Sequence, residues 1–186
     1  PGQGSQSLGM LNSIKDLKIT KEIFQVTSDK LGVDLIELTV NGDEKSLSDT
    51  KITQPLMLST NYVFLKIFQE NFNIEPALII GHSLGEYSAL LASNILSFED
   101  AVNIVIERSV AMSESVDGIK TGISAVLGLD LFTVENICNE CSNENIFVDV
   151  ANINAKNQIV IAGNLEKVEE VSQKLSQLKA KIIPLK

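Results

Sequence analysis

Apolar and polar residues follow two different patterns along this chain, and the change falls near Gly118. Before it, helical spacing predominates, and it predicts helices over 20–31, 55–71 and 98–115. Gly32 is placed to end the first helix, Pro55 to begin the second, and Ser97 with Asp100 to cap the third. Residues 41–43 are predicted to form a turn, and the polar stretch from there to Thr53 a surface connection. The apolar run 77–80 is predicted to be a buried strand.

After Gly118 the pattern alternates between strands and helices. Strands are predicted over 123–129, 146–154, 158–162 and 181–185, and helices over 131–141 and 165–178. This βαββαβ order in a short segment is typical of a ferredoxin-like domain. We therefore predict an α/β chain with two domains, 1–117 and 118–186.

The run Gly81-His82-Ser83-Leu84-Gly85-Glu86 follows the predicted strand and leads into helical sequence. A G-x-S-x-G in this context is typical of a nucleophile elbow, in which small residues allow a sharp turn that exposes the serine hydroxyl. Ser83 is thus the candidate nucleophile. The alternative is a tight turn whose serine only caps the helix.

Arg108 lies in the predicted helix 98–115 on the same stripe as Ala101, Val105 and Met112. An inward guanidinium needs an anionic partner, because an unpaired buried charge is severely unfavourable. That partner is either an acid of this chain or an anionic group of a substrate, and a small rotation of the helix would instead expose the arginine.

Composition narrows the class of protein. A hydrophobic fraction of 44% with 21% charged residues is typical of a soluble globular protein, and we expect a cytoplasmic one without a membrane span. The net charge of −9 argues against nucleic-acid binding. Cys138 and Cys141 form a C-x-x-C, but the only histidine is His82, so too few ligands remain for a zinc site. We expect no metal, and we interpret both cysteines as packing residues.

Three features together resemble the malonyl-CoA:acyl-carrier-protein transacylases, the acyltransferase family of fatty acid and polyketide synthesis. They are the opening Pro1-Gly2-Gln3-Gly4-Ser5-Gln6, the elbow with its continuation Tyr87-Ser88-Ala89, and Arg108. Thr53-Gln54-Pro55 and the segment 154–163 match more weakly. The resemblance covers essentially the whole chain and implies that 1–117 is part of an α/β-hydrolase-like subdomain.

The resemblance implies a two-step transfer, first from malonyl-CoA to Ser83 and then to the pantetheine thiol of acyl carrier protein. The backbone N–H groups of Gln3 and Leu84 would form the oxyanion hole, and Arg108 would bind the malonyl carboxylate. No cofactor is implied besides the coenzyme A thioester, which is the substrate. The residues leave malonyl and methylmalonyl both open, and we expect a monomer.

The family also has a histidine base that follows the small subdomain. In addition, an apolar strand precedes the opening loop in the family. Neither has a counterpart in these residues, so we expect the 186-residue polypeptide alone to transfer malonyl groups poorly. His82 adjoins Ser83 and is interpreted as a packed or hydrogen-bonded elbow residue. Two alternatives remain: a serine esterase or thioesterase, for which Arg108 has no use, and a carrier-protein-binding module without catalysis.

Overall fold

The computed structural model describes residues 1–185 and separates the chain into two compact units, with the division between Ser115 and Val116. The first unit is helical, and the second contains the sheet, so the chain as a whole is α/β. The helices of the first unit are α1 (Lys18–Leu31), α2 (Leu35–Asn41), α3 (Glu44–Leu47), α4 (Thr50–Asn71), α5 (Leu84–Ala92) and α6 (Phe98–Glu114).

Two predicted helix ends in this unit are confirmed. Gly32 ends α1 in the left-handed conformation, with a φ of 67° that a residue without Cβ adopts freely. Ser97 caps α6, where its Oγ accepts from the backbone N–H of Asp100 at 3.1 Å.

The predicted start of α4 at Pro55 is wrong. The helix begins at Thr50, because the side chain of Asp49 accepts from the backbone N–H of Lys51 at 2.9 Å and starts the helix one turn before the proline. The segment predicted as a surface connection, between the turn at 41–43 and Thr53, also contains α3 and the first turn of α4. Thr53 is buried, and its hydroxyl donates to the carbonyl of Leu47 at 2.7 Å.

The predicted strand at 77–80 is also wrong. The segment forms no strand, and the side chains of Leu78 and Ile80 are 78% and 83% exposed. A strand needs a neighbour that accepts and donates its backbone hydrogen bonds, and residues 1–115 contain no other strand.

The second unit has the predicted βαββαβ order. Its elements are β1 (Thr121–Leu127), α7 (Leu131–Cys141), β2 (Val148–Ala155), β3 (Gln158–Asn164), α8 (Leu165–Gln177) and β4 (Lys181–Pro184). The strands form one antiparallel sheet in the order β2-β3-β1-β4, and the two helices pack against it around Val126, Ile161 and Val171.

Cys138 and Cys141 lie in this core on α7, which confirms their interpretation as packing residues. Burial is the main cause that raises the pKa of the Cys138 thiol to about 12, with a smaller contribution from Asp149. Among residues 1–185, no group of His, Cys, Asp and Glu side chains is arranged to hold a metal ion. No helix in the same range is both long and apolar enough to cross a bilayer.

Candidate active site

Ser83 stands at a sharp turn immediately before α5, with a φ of 54° and a ψ of −117°. A positive φ is unfavourable for a serine, and such backbone strain is concentrated at functional sites. The turn also requires Gly81, because a Cβ at that position would overlap the backbone carbonyl of Gly85. Gly85 itself has open space around it. The strained turn and the helix after it match a nucleophile elbow, although no strand precedes them within residues 1–82, and the turn leaves Ser83 exposed.

The Ser83 side chain does not cap α5: it accepts no hydrogen bond from the first turn of the helix. The interpretation of Ser83 as only a capping residue is therefore wrong. The first bonds of the turn run from the backbone N–H of Gly85 to His82 and from that of Glu86 to Ser83. Within residues 1–185 the N–H of Leu84 has no acceptor, and it stands at the positive end of the helix dipole.

Arg108 reaches the serine from α6. Its Nη2 donates to Ser83 Oγ at 3.0 Å, and its Nη1 donates to Gln54 Oε1. The guanidinium carbon also lies 5.8 Å from the centre of the Tyr87 ring, within the range of a cation–π contact. The structure thus brings together two of the residues that the sequence singled out.

The predicted stripe on α6 is only partly correct. The buried residues of this helix are Ala101, Val102, Val105 and Ser109, whereas Met112 is exposed and Arg108 is half-buried. The helix is rotated so that Arg108 lies at the edge of the apolar face rather than within it. No carboxylate among residues 1–185 forms an ion pair with it, so the arginine is not part of an internal salt bridge.

Gln54 is a site residue that the sequence analysis did not identify, although it lies in a segment that matched the family weakly. Its side chain is fully buried on α4, and its Oε1 accepts from Arg108. Its Nε2 donates to Thr50 Oγ1 at 3.2 Å. A polar side chain at a buried helical position was the available signal, because buried amides are almost always hydrogen-bonded.

The opening loop and the elbow line one cleft of 1240 Å³, to which Gln3, His82, Ser83 and Leu84 all contribute. Gln3 is held through its side chain, whose Oε1 accepts from Thr50 Oγ1 at 3.0 Å. No acceptor among residues 1–185 takes its backbone N–H. Both N–H groups predicted for the oxyanion hole therefore lack acceptors and belong to the same cleft.

His82 does not have the predicted packed or hydrogen-bonded side chain. It is exposed, and its ring has no hydrogen-bond partner within residues 1–185. The neighbouring residues of segment 77–80 are themselves largely exposed, so they offer no buried surface against which the ring could pack. Over the same residues, Arg108 alone forms a side-chain hydrogen bond with Ser83 Oγ.

Acyl-transferring serine sites use an arrangement of this kind: a serine on a strained turn, two backbone N–H groups without acceptors and, here, a half-buried arginine in contact with the serine. In agreement, residues 1–182 match the family model described as "Acyl transferase domain", and the chain belongs to this family.

Its relatives include proteins named malonyl CoA-acyl carrier protein transacylase. The one from Salmonella typhimurium is 42% identical over 170 residues, which cover 91% of this chain and 55% of the relative. One from Staphylococcus aureus is 36% identical, and the match covers 100% of this chain and 60% of the relative. The chain therefore spans less than two thirds of the length of these relatives.

Solved structures of malonyl transacylases are also similar to this chain. FabD from Acinetobacter baumannii superimposes with a TM-score of 0.90 at 35% identity, covering 100% of this chain and 59% of that one. A malonyl-transacylase solved in complex with a type II PKS acyl-carrier protein has a TM-score of 0.89 at 36% identity, and the coverage is 100% and 60%.

Proposed function

We propose that this chain forms the acyl-enzyme of a malonyl-CoA:acyl-carrier-protein transacylase. The observation that carries the proposal is the hydrogen bond of 3.0 Å between Arg108 Nη2 and Ser83 Oγ. The two carboxyl-derived carbons of a malonyl group are separated by a single methylene. A cation in contact with the nucleophile can therefore bind the free carboxylate while the serine attacks the thioester.

In the first step, Ser83 Oγ attacks the thioester carbonyl of malonyl-CoA, and its proton passes to the histidine base that the family uses. A C–O bond forms, the C–S bond breaks, and coenzyme A leaves as the thiol after the same base returns the proton to its sulfur. In the second step, the pantetheine thiol of acyl carrier protein attacks the malonyl ester. The malonyl group then moves to sulfur, and the serine hydroxyl is restored.

The negative charge that develops on the carbonyl oxygen needs donors that are already in place. We assign this role to the backbone N–H groups of Leu84 and Gln3. Support comes from their lack of acceptors and their shared cleft. The start of α5 behind Ser83 adds a favourable dipole.

Arg108 is assigned to the malonyl carboxylate, and Gln54 to the orientation of Arg108. A guanidinium held by a buried amide loses little freedom when it binds a carboxylate through two parallel hydrogen bonds. An esterase for neutral substrates would give this arginine nothing to bind, which argues against that alternative.

The rest of the proposal follows the family. We assign residues 1–117 to an α/β-hydrolase-like subdomain and 118–186 to a ferredoxin-like one, and the strand order β2-β3-β1-β4 supports the second assignment. The function belongs to fatty acid biosynthesis, performed by a cytoplasmic monomer that needs no metal or cofactor and binds no nucleic acid.

The proposal is tested by mass spectrometry of the natural protein that contains this chain after brief incubation with malonyl-CoA. We expect one malonyl adduct, on the peptide with Ser83. The Ser83→Ala variant should show none. An adduct that persists in that variant would remove Ser83 from the chemistry.

A further inference from the structure

A row of side chains along α4 contacts the separate parts of the candidate site. Thr50, Gln54, Met57 and Asn61 recur at intervals of four, three and four residues, so they lie on one face of the helix. Thr50 contacts the side chain of Gln3, and Gln54 contacts Arg108. Asn61 is the remaining polar member of the row.

Asn61 joins two segments that are distant in sequence. Its Nδ2 donates to the backbone carbonyl of Pro1 at 2.9 Å and to Ser88 Oγ at 2.9 Å. Pro1 belongs to the opening loop that carries Gln3, and Ser88 lies on α5, the helix that begins after Ser83. Because a carbonyl only accepts hydrogen bonds, the contact with Pro1 fixes which end of the amide is the donor.

We propose that Asn61 is a positioning residue that fixes the opening loop against α5 and so sets the separation of the Gln3 and Leu84 backbone N–H groups. The inference rests on the proposed function. Residues 1–6 belong to no helix or strand, and within residues 1–185 the hydrogen bonds that tie them to the rest of the chain come from the side chains of Thr50 and Asn61.

Asn61 leaves one of its own polar atoms buried and unpaired, and this unfavourable feature supports a specific role for the residue. Asn61 Oδ1 is buried without a hydrogen-bond partner among residues 1–185. An orphaned buried acceptor is unfavourable, and an apolar side chain at this position would avoid it. What an apolar side chain cannot provide is an N–H pair that donates to the loop and to α5 together.

The test compares two variants with the same chemical change on the same helix. Asn61→Asp keeps the shape but loses both donors, whereas Asn71→Asp alters an exposed asparagine that bonds only within α4. We would measure the single-turnover rate constant of Ser83 acylation by malonyl-CoA, its KM, and the melting temperature. Rates are expressed per Ser83 that can be acylated, which removes any effect of misfolded protein.

We expect Asn61→Asp to lower this rate constant at least about tenfold, because displaced oxyanion donors lose transition-state stabilisation. KM should change less than about twofold, and Asn71→Asp should behave as wild type. If Asn61→Asp does not fold, Asn61→Ala is measured in the same way. An unchanged rate per acylated Ser83, or equal losses in both asparagine variants, would overturn the inference. Absence of any adduct in the wild type would instead reject the proposed function.

Discussion

Replacing Arg108 with alanine should separate malonyl transfer from acetyl transfer. The substitution removes the guanidinium that contacts Ser83 and Gln54, but it leaves the elbow backbone in place. Malonyl-CoA would lose the partner of its carboxylate. Acetyl-CoA has no carboxylate and would lose only the contact between Arg108 and the serine.

The size of the effect follows from the geometry. A hydrogen bond to a charged group contributes about 1.5–3 kcal/mol. Two such bonds from a half-buried arginine, taken at the lower value, give about 3 kcal/mol, or about a 100-fold loss in kcat/KM for malonyl-CoA. For acetyl-CoA the loss should stay below about tenfold. Arg108→Lys should fall between, because an ammonium keeps the charge but not the planar pair of donors.

The assay is transfer from each thioester to acyl carrier protein by the natural protein that contains this chain, with Glu107→Ala as the control on the same helix. Glu107 is exposed and has no hydrogen bond to the site, so both activities should stay at the wild-type level. Melting curves are needed because Arg108→Ala leaves the buried Gln54 Oε1 without its donor. Equal losses for malonyl-CoA and acetyl-CoA would refute carboxylate recognition by Arg108.

Two further predictions concern the elbow and the cysteines. Gly81→Ala should abolish acylation of Ser83, since a methyl group would overlap the Gly85 carbonyl. Gly85→Ala should have a milder effect, because there is open space around Gly85. Acylation of Gly81→Ala at the wild-type rate would contradict the described turn. Cys138 should resist iodoacetamide at pH 8 until urea unfolds the protein, because burial raises its pKa from 9.0 to about 12. The raised pKa also means that its contribution to stability is present below pH 9 and is lost as the pH rises toward 12. Rapid labelling of Cys138 in the folded protein would contradict the raised pKa, and with it both the predicted resistance to iodoacetamide and the predicted pH dependence of stability.

Local patterns predicted the parts of this chain that depend on local contacts. The βαββαβ unit has alternating strands and helices whose partners are close in sequence, and α7 has the predicted ends, Leu131–Cys141. The elbow was recognisable because Gly81, Ser83 and Gly85 lie within five consecutive residues. Arg108 was recognisable because a charged residue interrupted the predicted apolar stripe, although in the structure it lies at the edge of the buried face.

The missed features depend on partners that a linear pattern does not reveal. Segment 77–80 is apolar enough for a strand, but pairing also requires a neighbour. Pro55 is compatible with a helix start, yet Asp49 begins the helix earlier. Gln54 and Asn61 act through contacts with residues far away in sequence, so their face could be predicted but not their role.

The most direct test of the account follows the malonyl group after it has bound to Ser83. The natural protein that contains this chain is acylated with radiolabelled malonyl-CoA, separated from free coenzyme A, and mixed with holo acyl carrier protein. We predict that the label moves to the carrier protein as a thioester much faster than it is released as free malonate. Release as malonate at the same rate with and without the carrier protein would contradict the account and identify a hydrolase.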